Sequence, residues 1–219
     1  MTGKDHLNYN RTANTIVRQN RSVLYNDPGD QALYKIVDVH FLGFEWVQFT
    51  KLENKSNQAF TRTETYSTQF RDAKTKDETS TMDVSGAFEG LTLSLGNSTS
   101  TITTQEVTTT KTCTTTVKVD PKSTIYLYQK RYHFKAVVWY KIDAWGKLWT
   151  VGNWKGAGVA HKAQEIQIDT SEFIGTPSAL PGSGMLHVAK GKDIWAQDNI
   201  KQFDQCPKKC QDYLHDRGV

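Results

Sequence analysis

Side chains capable of covalent or acid–base chemistry are present in this chain but nowhere grouped. The three cysteines are Cys113, Cys206 and Cys210. An odd count argues against a full disulfide framework. Cys206-Pro207-Lys208-Lys209-Cys210 is spaced either to close a small loop under oxidising conditions or to remain two thiols. A metal there would need more ligands than His215 supplies. The six histidines, His6, His40, His133, His161, His187 and His215, are not spaced as a metal pair. Gly182-Ser183-Gly184 lacks the strand-to-helix setting and outer glycine of a nucleophile elbow. Gly156-Ala157-Gly158 lacks the lysine of a phosphate loop. No catalytic constellation, no metal and no cofactor are expected, and the chain reads as a non-enzyme.

The spacing that does carry chemistry concerns partition between water and oil. Met82, Val84, Gly86 and Phe88 share one parity, and Leu91, Leu93 and Leu95 share another. Glu89-Gly90 lies between them as a two-residue turn whose glycine tolerates positive φ. Folding residues 79–100 about that turn pairs Phe88 with Leu91, Gly86 with Leu93 and Val84 with Leu95. All of these fall on one face. Asp83, Ser85, Ala87, Thr92 and Ser94 fall on the other. Each arm is about 10 residues long, the span of a transmembrane β-strand that alternates lipid-facing and lumen-facing side chains. One hairpin cannot close a barrel, and an open edge is forbidden in hydrocarbon, so several identical chains would have to contribute. In water the apolar face must be covered by neighbouring strands. An ordinary hairpin packed on a sandwich core satisfies the same pattern.

The elements around this hairpin are extended. Residues 61–124 hold 27 Ser or Thr in 64 positions, against 12 in the other 155. The block alternates: Thr61, Thr63 and Thr65 oppose Phe60, Tyr66 and Phe70 in parity, and Val107, Cys113, Val117 and Val119 share a parity among threonines. Such β-branched alternation predicts long, half-exposed strands, and helix is rejected for Thr108–Thr116. Residues 31–53 predict two strands broken at Gly43. Asp120-Pro121-Lys122-Ser123 predicts a break. Ile125–Trp139 predicts a long aromatic strand, and Asp143–Lys147 a hairpin turn into Leu148–Val151. Residues 175–192 read as loop, Lys208–Asp216 as a short helix and Lys192–Phe203 as another. Residues 1–30 give no clear pattern.

The layout resembles the aerolysin and clostridial epsilon-toxin group of β-pore-forming toxins. The resemblance rests on the extended strand Phe60–Phe70, the amphipathic hairpin at 79–100, the Thr-rich return Thr101–Val119 and the Val-Lys-Val-Asp-Pro-Lys-Ser-Thr-Ile-Tyr turn at 117–126. It covers roughly residues 45–140. It implies a mainly β, elongated antiparallel fold with long strands and an insertion hairpin. Residues 1–58 and 125–219 would form a receptor-binding or cap lobe, and 59–124 a pore-forming module. It implies a cytolytic protein that binds a target-cell membrane through a lipid, glycan or glycoprotein receptor. It would then form a homo-oligomer and insert a β-barrel, with Met82, Val84, Gly86, Phe88, Leu91, Leu93 and Leu95 toward lipid. Relatives are often activated by removal of a terminal peptide. The segment 192–219 would play that part, with Lys192, Lys201, Lys208, Lys209 and Arg217 as cleavage points. A non-lytic β-sandwich that binds carbohydrate, a lectin-like module, is the alternative.

Among the aromatic residues, Trp145 and Trp149 flank the predicted turn and, with Trp154, are the candidates for receptor or lipid contact. The net charge is +4 with scattered Lys and Arg and no basic stripe, so no nucleic-acid partner is expected. No stretch reads as a membrane-spanning helix, and no apolar run follows Met1-Thr2-Gly3-Lys4-Asp5-His6. The expectation is a protein released without a recognisable signal peptide. Asn10, Asn20, Asn54 and Asn97 begin glycosylation sequons.

Overall fold

Long runs of β-branched and aromatic residues dictate strands that outlast any single tight turn. The computed structural model describes residues 16–27, 31–73, 83–95, 98–154, 158–181 and 199–219. The strands are β1 (Ile16–Asp27), β2 (Gln31–Glu53), β3 (Phe60–Ser67), β4 (Gln69–Ala73), β5 (Thr92–Leu95), β6 (Ser98–Thr101), β7 (Thr112–Val119), β8 (Thr124–Ala144), β9 (Lys147–Val151), β10 (His161–Thr176) and β11 (Ile200–Lys201). Two short helices, α1 (Thr104–Thr108) and α2 (Lys208–His215), interrupt and follow them. The main sheet runs β1-β2-β8-β10-β4, and β9 and β11 extend it beside β8. Its pairings are antiparallel except β9 with β11. Two separate two-stranded sheets, β3–β7 and β5–β6, complete the fold. The chain is mainly β and antiparallel, as the sequence predicts.

β2 and β8 are the spine, paired from Gln31↔Ala144 to Glu53↔Thr124. The expected break at Gly43 is instead a bulge between Phe41 and Gly43, where the register shifts and the strand continues. Residues 36–46 are all buried, and the ladder to β8 resumes on both sides of the bulge, so it holds the strand through the kink. The sequence does not signal β10, and residues 192–203 contain a strand, β11, where a helix is expected. The expected helix at the chain's end is α2, and Asp120–Ser123 turns with Lys122 at φ 55°. Residues 182–198, which include most of the expected loop, lie outside the described residues.

One apolar core spans the sheet face. Tyr132, Phe134, Ile166 and Ile168 on β8 and β10 are fully buried, and Phe41 and Phe44 of β2 pack on Tyr132 at ring distances of 5.9 and 6.3 Å. Each such side chain contributes about 1.5–3 kcal/mol on burial. Val84, Phe88, Leu91, Leu93, Ile102 and Val107 join this same core, as do Cys210, Leu214 and Val219.

Candidate membrane-active segment

The segment from Asp83 to Thr108 starts with a turn rather than a strand. Asp83 Oδ1 accepts hydrogen bonds from the Ser85 backbone N–H at 3.2 Å and from Ser85 Oγ at 2.8 Å. An Asp followed by Ser two residues on closes a local ring that competes with extended backbone. Ser85–Ala87 therefore forms a single 3₁₀ turn. This corrects the first arm of the expected hairpin: Gly86 is exposed and Ala87 is buried, the reverse of their assigned faces. The turn at Glu89-Gly90 is where the sequence places it, with Gly90 at φ 64° and the Leu91 N–H donating to the Phe88 carbonyl at 3.1 Å.

The second arm pairs downstream, not upstream. The Ile102 N–H donates to the Leu91 carbonyl at 2.8 Å, and β5 runs antiparallel to β6 with Thr92↔Thr101 and Leu93↔Ser100. The strand register thus replaces the expected pairs Phe88–Leu91, Gly86–Leu93 and Val84–Leu95. The apolar members that are described, Val84, Phe88, Leu91 and Leu93, are each at most 3% exposed. Phe88 stacks edge-on against Phe134 at 5.1 Å and Phe70 at 5.5 Å. Asp83 and Thr92 face solvent and Ser85 is half-buried. Met82 and the side chains of Ser94 and Leu95 lie outside the described residues.

Among the described residues, bonds from β1, β2 and β10 fasten this segment. From β1, the Arg18 guanidinium donates to the carbonyls of Glu89 at 2.6 Å, Gly90 at 3.1 Å and Ala87 at 3.3 Å. From β2, Lys35 Nζ donates to the Asp83 carbonyl at 2.8 Å. The other end is held by two carboxylates at a bulge of β10. There the register with β8 jumps from Asp169↔Arg131 to Phe173↔Gln129, which frees residues 170–172 from that ladder. Glu106 accepts from the Ser171 N–H at 2.9 Å and from Ser171 Oγ at 3.2 Å. Its second oxygen closes a capping box on α1, accepting from the Thr103 N–H at 2.9 Å. Glu172 accepts from Ser100 Oγ of β6, from Lys130 Nζ at 2.9 Å and from the Tyr132 hydroxyl at 3.2 Å. Burial pushes its carboxyl up, but the bonds from Ser100 and Lys130 outweigh that and leave it below the usual range.

A second charged array crosses the sheet. Arg71 of β4 meets Asp169 of β10 at 2.9 Å, and Asp169 also meets Arg131 of β8. Arg131 then reaches Glu45 of β2 at 3.5 Å, and Glu45 meets His133 Nε2 at 2.9 Å. The His133 hydrogen bond, with help from Arg131, holds the Glu45 carboxyl below its ordinary value against the cost of burial. This array binds four strands together rather than presenting an open site.

The aromatic candidates sit elsewhere. Trp145, at φ 54° in the β8–β9 turn, is 55% exposed, and Trp154 is 42% exposed with its ring 5.3 Å from His215. Trp149 of β9 is half-buried against the core. The structure does not bring Trp145 and Trp149 to the hairpin; they lie on a different part of the main sheet. Cys113, Cys206 and Cys210 are free, and no metal-binding group of His, Cys, Asp or Glu occurs among the described residues. No helix among the described residues is long and apolar enough to cross a membrane.

Its structural neighbours are aerolysin-type pore-forming toxins. Pro-monalysin, an oligomeric pore-forming toxin, aligns over 86% of this chain and 72% of its own, with a TM-score of 0.41 and 11% identity. Lysenin in complex with phosphocholine aligns over 67% of this chain and 51% of its own, with a TM-score of 0.26 and 14% identity. Parasporin-2, a Bacillus thuringiensis toxin that recognizes cancer cells, covers 67% of this chain and 75% of its own, at 0.19 and 18% identity. No family model and no curated protein matches the sequence.

Two further signals for this site lie in the sequence. Thr103-x-x-Glu106 is a capping box, and it starts α1 inside what reads as a continuous Thr-rich return strand. Gly96-Asn97, between Leu95 and Ser98, reads in the sequence as a hairpin signal, and the flanking strands β5 and β6 pair antiparallel. Arg18, Lys35 and Glu172 carry no local signal, because their partners lie far away in sequence.

Proposed function

We propose that this protein binds a cell surface, oligomerises and inserts a β-barrel built from one hairpin per chain, acting without catalysis after release from the cell that makes it. The observation that carries the reading is the placement of segment 83–101. Val84, Phe88, Leu91 and Leu93 are buried in the protein's own core, while hydroxyl side chains such as Thr92 and Thr101 face water. The same alternation suits a barrel wall once the 3₁₀ turn at Ser85–Ala87 extends. In that state Met82, Val84, Gly86, Phe88, Leu91, Leu93 and Leu95 face lipid, and Asp83, Ser85, Ala87, Thr92 and Ser94 line the lumen.

Dye release from cells or liposomes, read beside oligomers that survive detergent, tests the reading. A substitution at Leu93 would unsettle the soluble fold as well, since Leu93 is only 2% exposed there. Thr92 is exposed in water and belongs to the lumen in the barrel. Thr92→Lys should leave the monomer folded and shift the channel toward anion selectivity in planar bilayers. Binding with no leakage and no oligomers would favour a carbohydrate-binding module.

A further inference from the structure

The turn between β8 and β9 carries an arrangement that the inserted hairpin does not use. Cross-strand pairs put Ala144 with Lys147 and Ile142 with Trp149, so Lys147 and Trp149 share one face of the ribbon. The β11 strand brings Lys201 to that face from the far end of the chain. Lys201 Nζ lies 3.9 Å from the centre of the Trp145 ring and 5.0 Å from that of Trp149. Lys147 Nζ lies 5.7 Å from the Trp149 ring centre. Two ammonium groups thus converge on one indole. Among the described residues neither forms an ion pair with a carboxylate. Asp143, the acidic residue of this ribbon, pairs with Leu148 on the opposite face. Among the described residues, the buried Trp149 indole N–H has no acceptor.

Two lysines with no carboxylate partner among the described residues thus lie on one face of this ribbon. The surrounding surface has the chemistry of a membrane interface. Trp145 is 55% exposed and Leu148 39% exposed at the tip of the ribbon. Tryptophan prefers the headgroup level of a bilayer, and each lysine near an anionic leaflet gains about 1 kcal/mol. We infer that the β8–β9 tip, through Trp145, Lys147, Trp149 and Lys201, docks on the surface of a bilayer containing anionic phospholipid, with headgroup phosphates between the two ammonium groups. This deepens the membrane-binding half of the proposed function by naming the lipid class.

The test is sedimentation of the full chain with vesicles of phosphatidylcholine alone or mixed with phosphatidylserine, at low and high salt. Intrinsic tryptophan emission is recorded in parallel. The wild type should bind the mixed vesicles, lose binding as salt rises and shift its emission to the blue. Lys147→Gln and Lys201→Gln should each weaken binding about fivefold, and the double variant about 25-fold. Lys147→Arg should keep near-wild-type affinity. Trp145→Ser should weaken binding while the circular dichroism spectrum stays unchanged. Equal binding to both vesicle types would overturn the inference, as would a double Gln variant that binds like the wild type. Competition by inorganic phosphate at the concentration of the lipid headgroups would reassign the site to a free anion. Retention on heparin without vesicle binding would reassign it to a sulfated glycan. Docking without leakage would leave this inference standing and contradict pore formation. Leakage indifferent to both lysines would do the reverse.

Discussion

Glu45 shows how a single carboxylate couples this fold to pH. Its folded-state pKa is depressed, chiefly by the His133 hydrogen bond and with the Arg131 charge contributing. A depressed pKa means the stabilisation is present above the unfolded carboxylate value and is lost as pH falls through the folded one. Denaturant melts of the wild type should therefore lose stability on acidification through the carboxylate range, and Glu45→Gln should flatten that part of the profile. The same substitution should cost about 1.5–3 kcal/mol at neutral pH, because the bond to His133 loses its charged acceptor while Arg131 keeps Asp169. Asn54 makes a different residue-scale case. Its sequon reads as a glycan acceptor, yet its side chain is 3% exposed and donates to the carbonyls of Gln58, Val119 and Asp120 at 2.9, 3.1 and 3.0 Å. Asn54→Ala should lower unfolding stability by about 1–3 kcal/mol, measured by urea titration, since those acceptors lose their buried partner. Glu45 has no local signal, because Arg131 and His133 come from a strand far along the chain, whereas Asn54 joins a local turn with Ser56 and Gln58 to the distant Val119 and Asp120.

At the scale of elements, the sequence is readable where geometry is local. The Glu89-Gly90 turn, the Trp145-Gly146 turn and α2 appear where expected, since a turn glycine and an amphipathic helix declare themselves within a few residues. Gly146 takes φ 67° beside Trp145, the paired positive angles that a two-residue hairpin turn requires. The pairing partner of β5 is ambiguous in the sequence, because Glu89-Gly90 and Gly96-Asn97 are both turn signals and parity fits either register. What decides between them is the Asp83–Ser85 turn, which removes the upstream strand. The same logic makes α1 a clasp. Glu106 both caps this one-turn helix and bonds the β10 bulge. Glu106→Ala should speed amide hydrogen exchange across residues 98–108 about tenfold while β2 and β8 stay protected. Uniform acceleration over the whole sheet would instead mark Glu106 as a general stabiliser.

For the molecule as a whole, one core serves both the permanent sheet and the segment assigned to the barrel. That sharing explains why composition alone separated a Ser/Thr-rich module from its flanks while the structure threads them together. β4, inside the Ser/Thr block, is an edge of the main sheet beside β10, and Phe88 packs against Phe134 of β8. In the proposed insertion, leaving this core would expose fully buried aromatic surface, so the segment would need both a membrane to receive it and neighbours to close its edges. Oligomerisation and insertion are therefore expected to be coupled, and detergent-stable oligomers should form only on vesicles and not in solution. Size-exclusion chromatography with and without liposomes reads that outcome.

The most direct measurement ties the segment down. Ser100 Oγ on β6 bonds the Glu172 carboxylate on β10. A reducible thiol crosslink between Ser100→Cys and Glu172→Cys, on a Cys113→Ser background, would fasten β6 to the sheet. Crosslinked protein should still bind vesicles but release no dye, and reduction should restore release. Undiminished dye release from fully crosslinked protein would contradict the account, because a segment that never leaves the sheet would then be doing no part of the permeation.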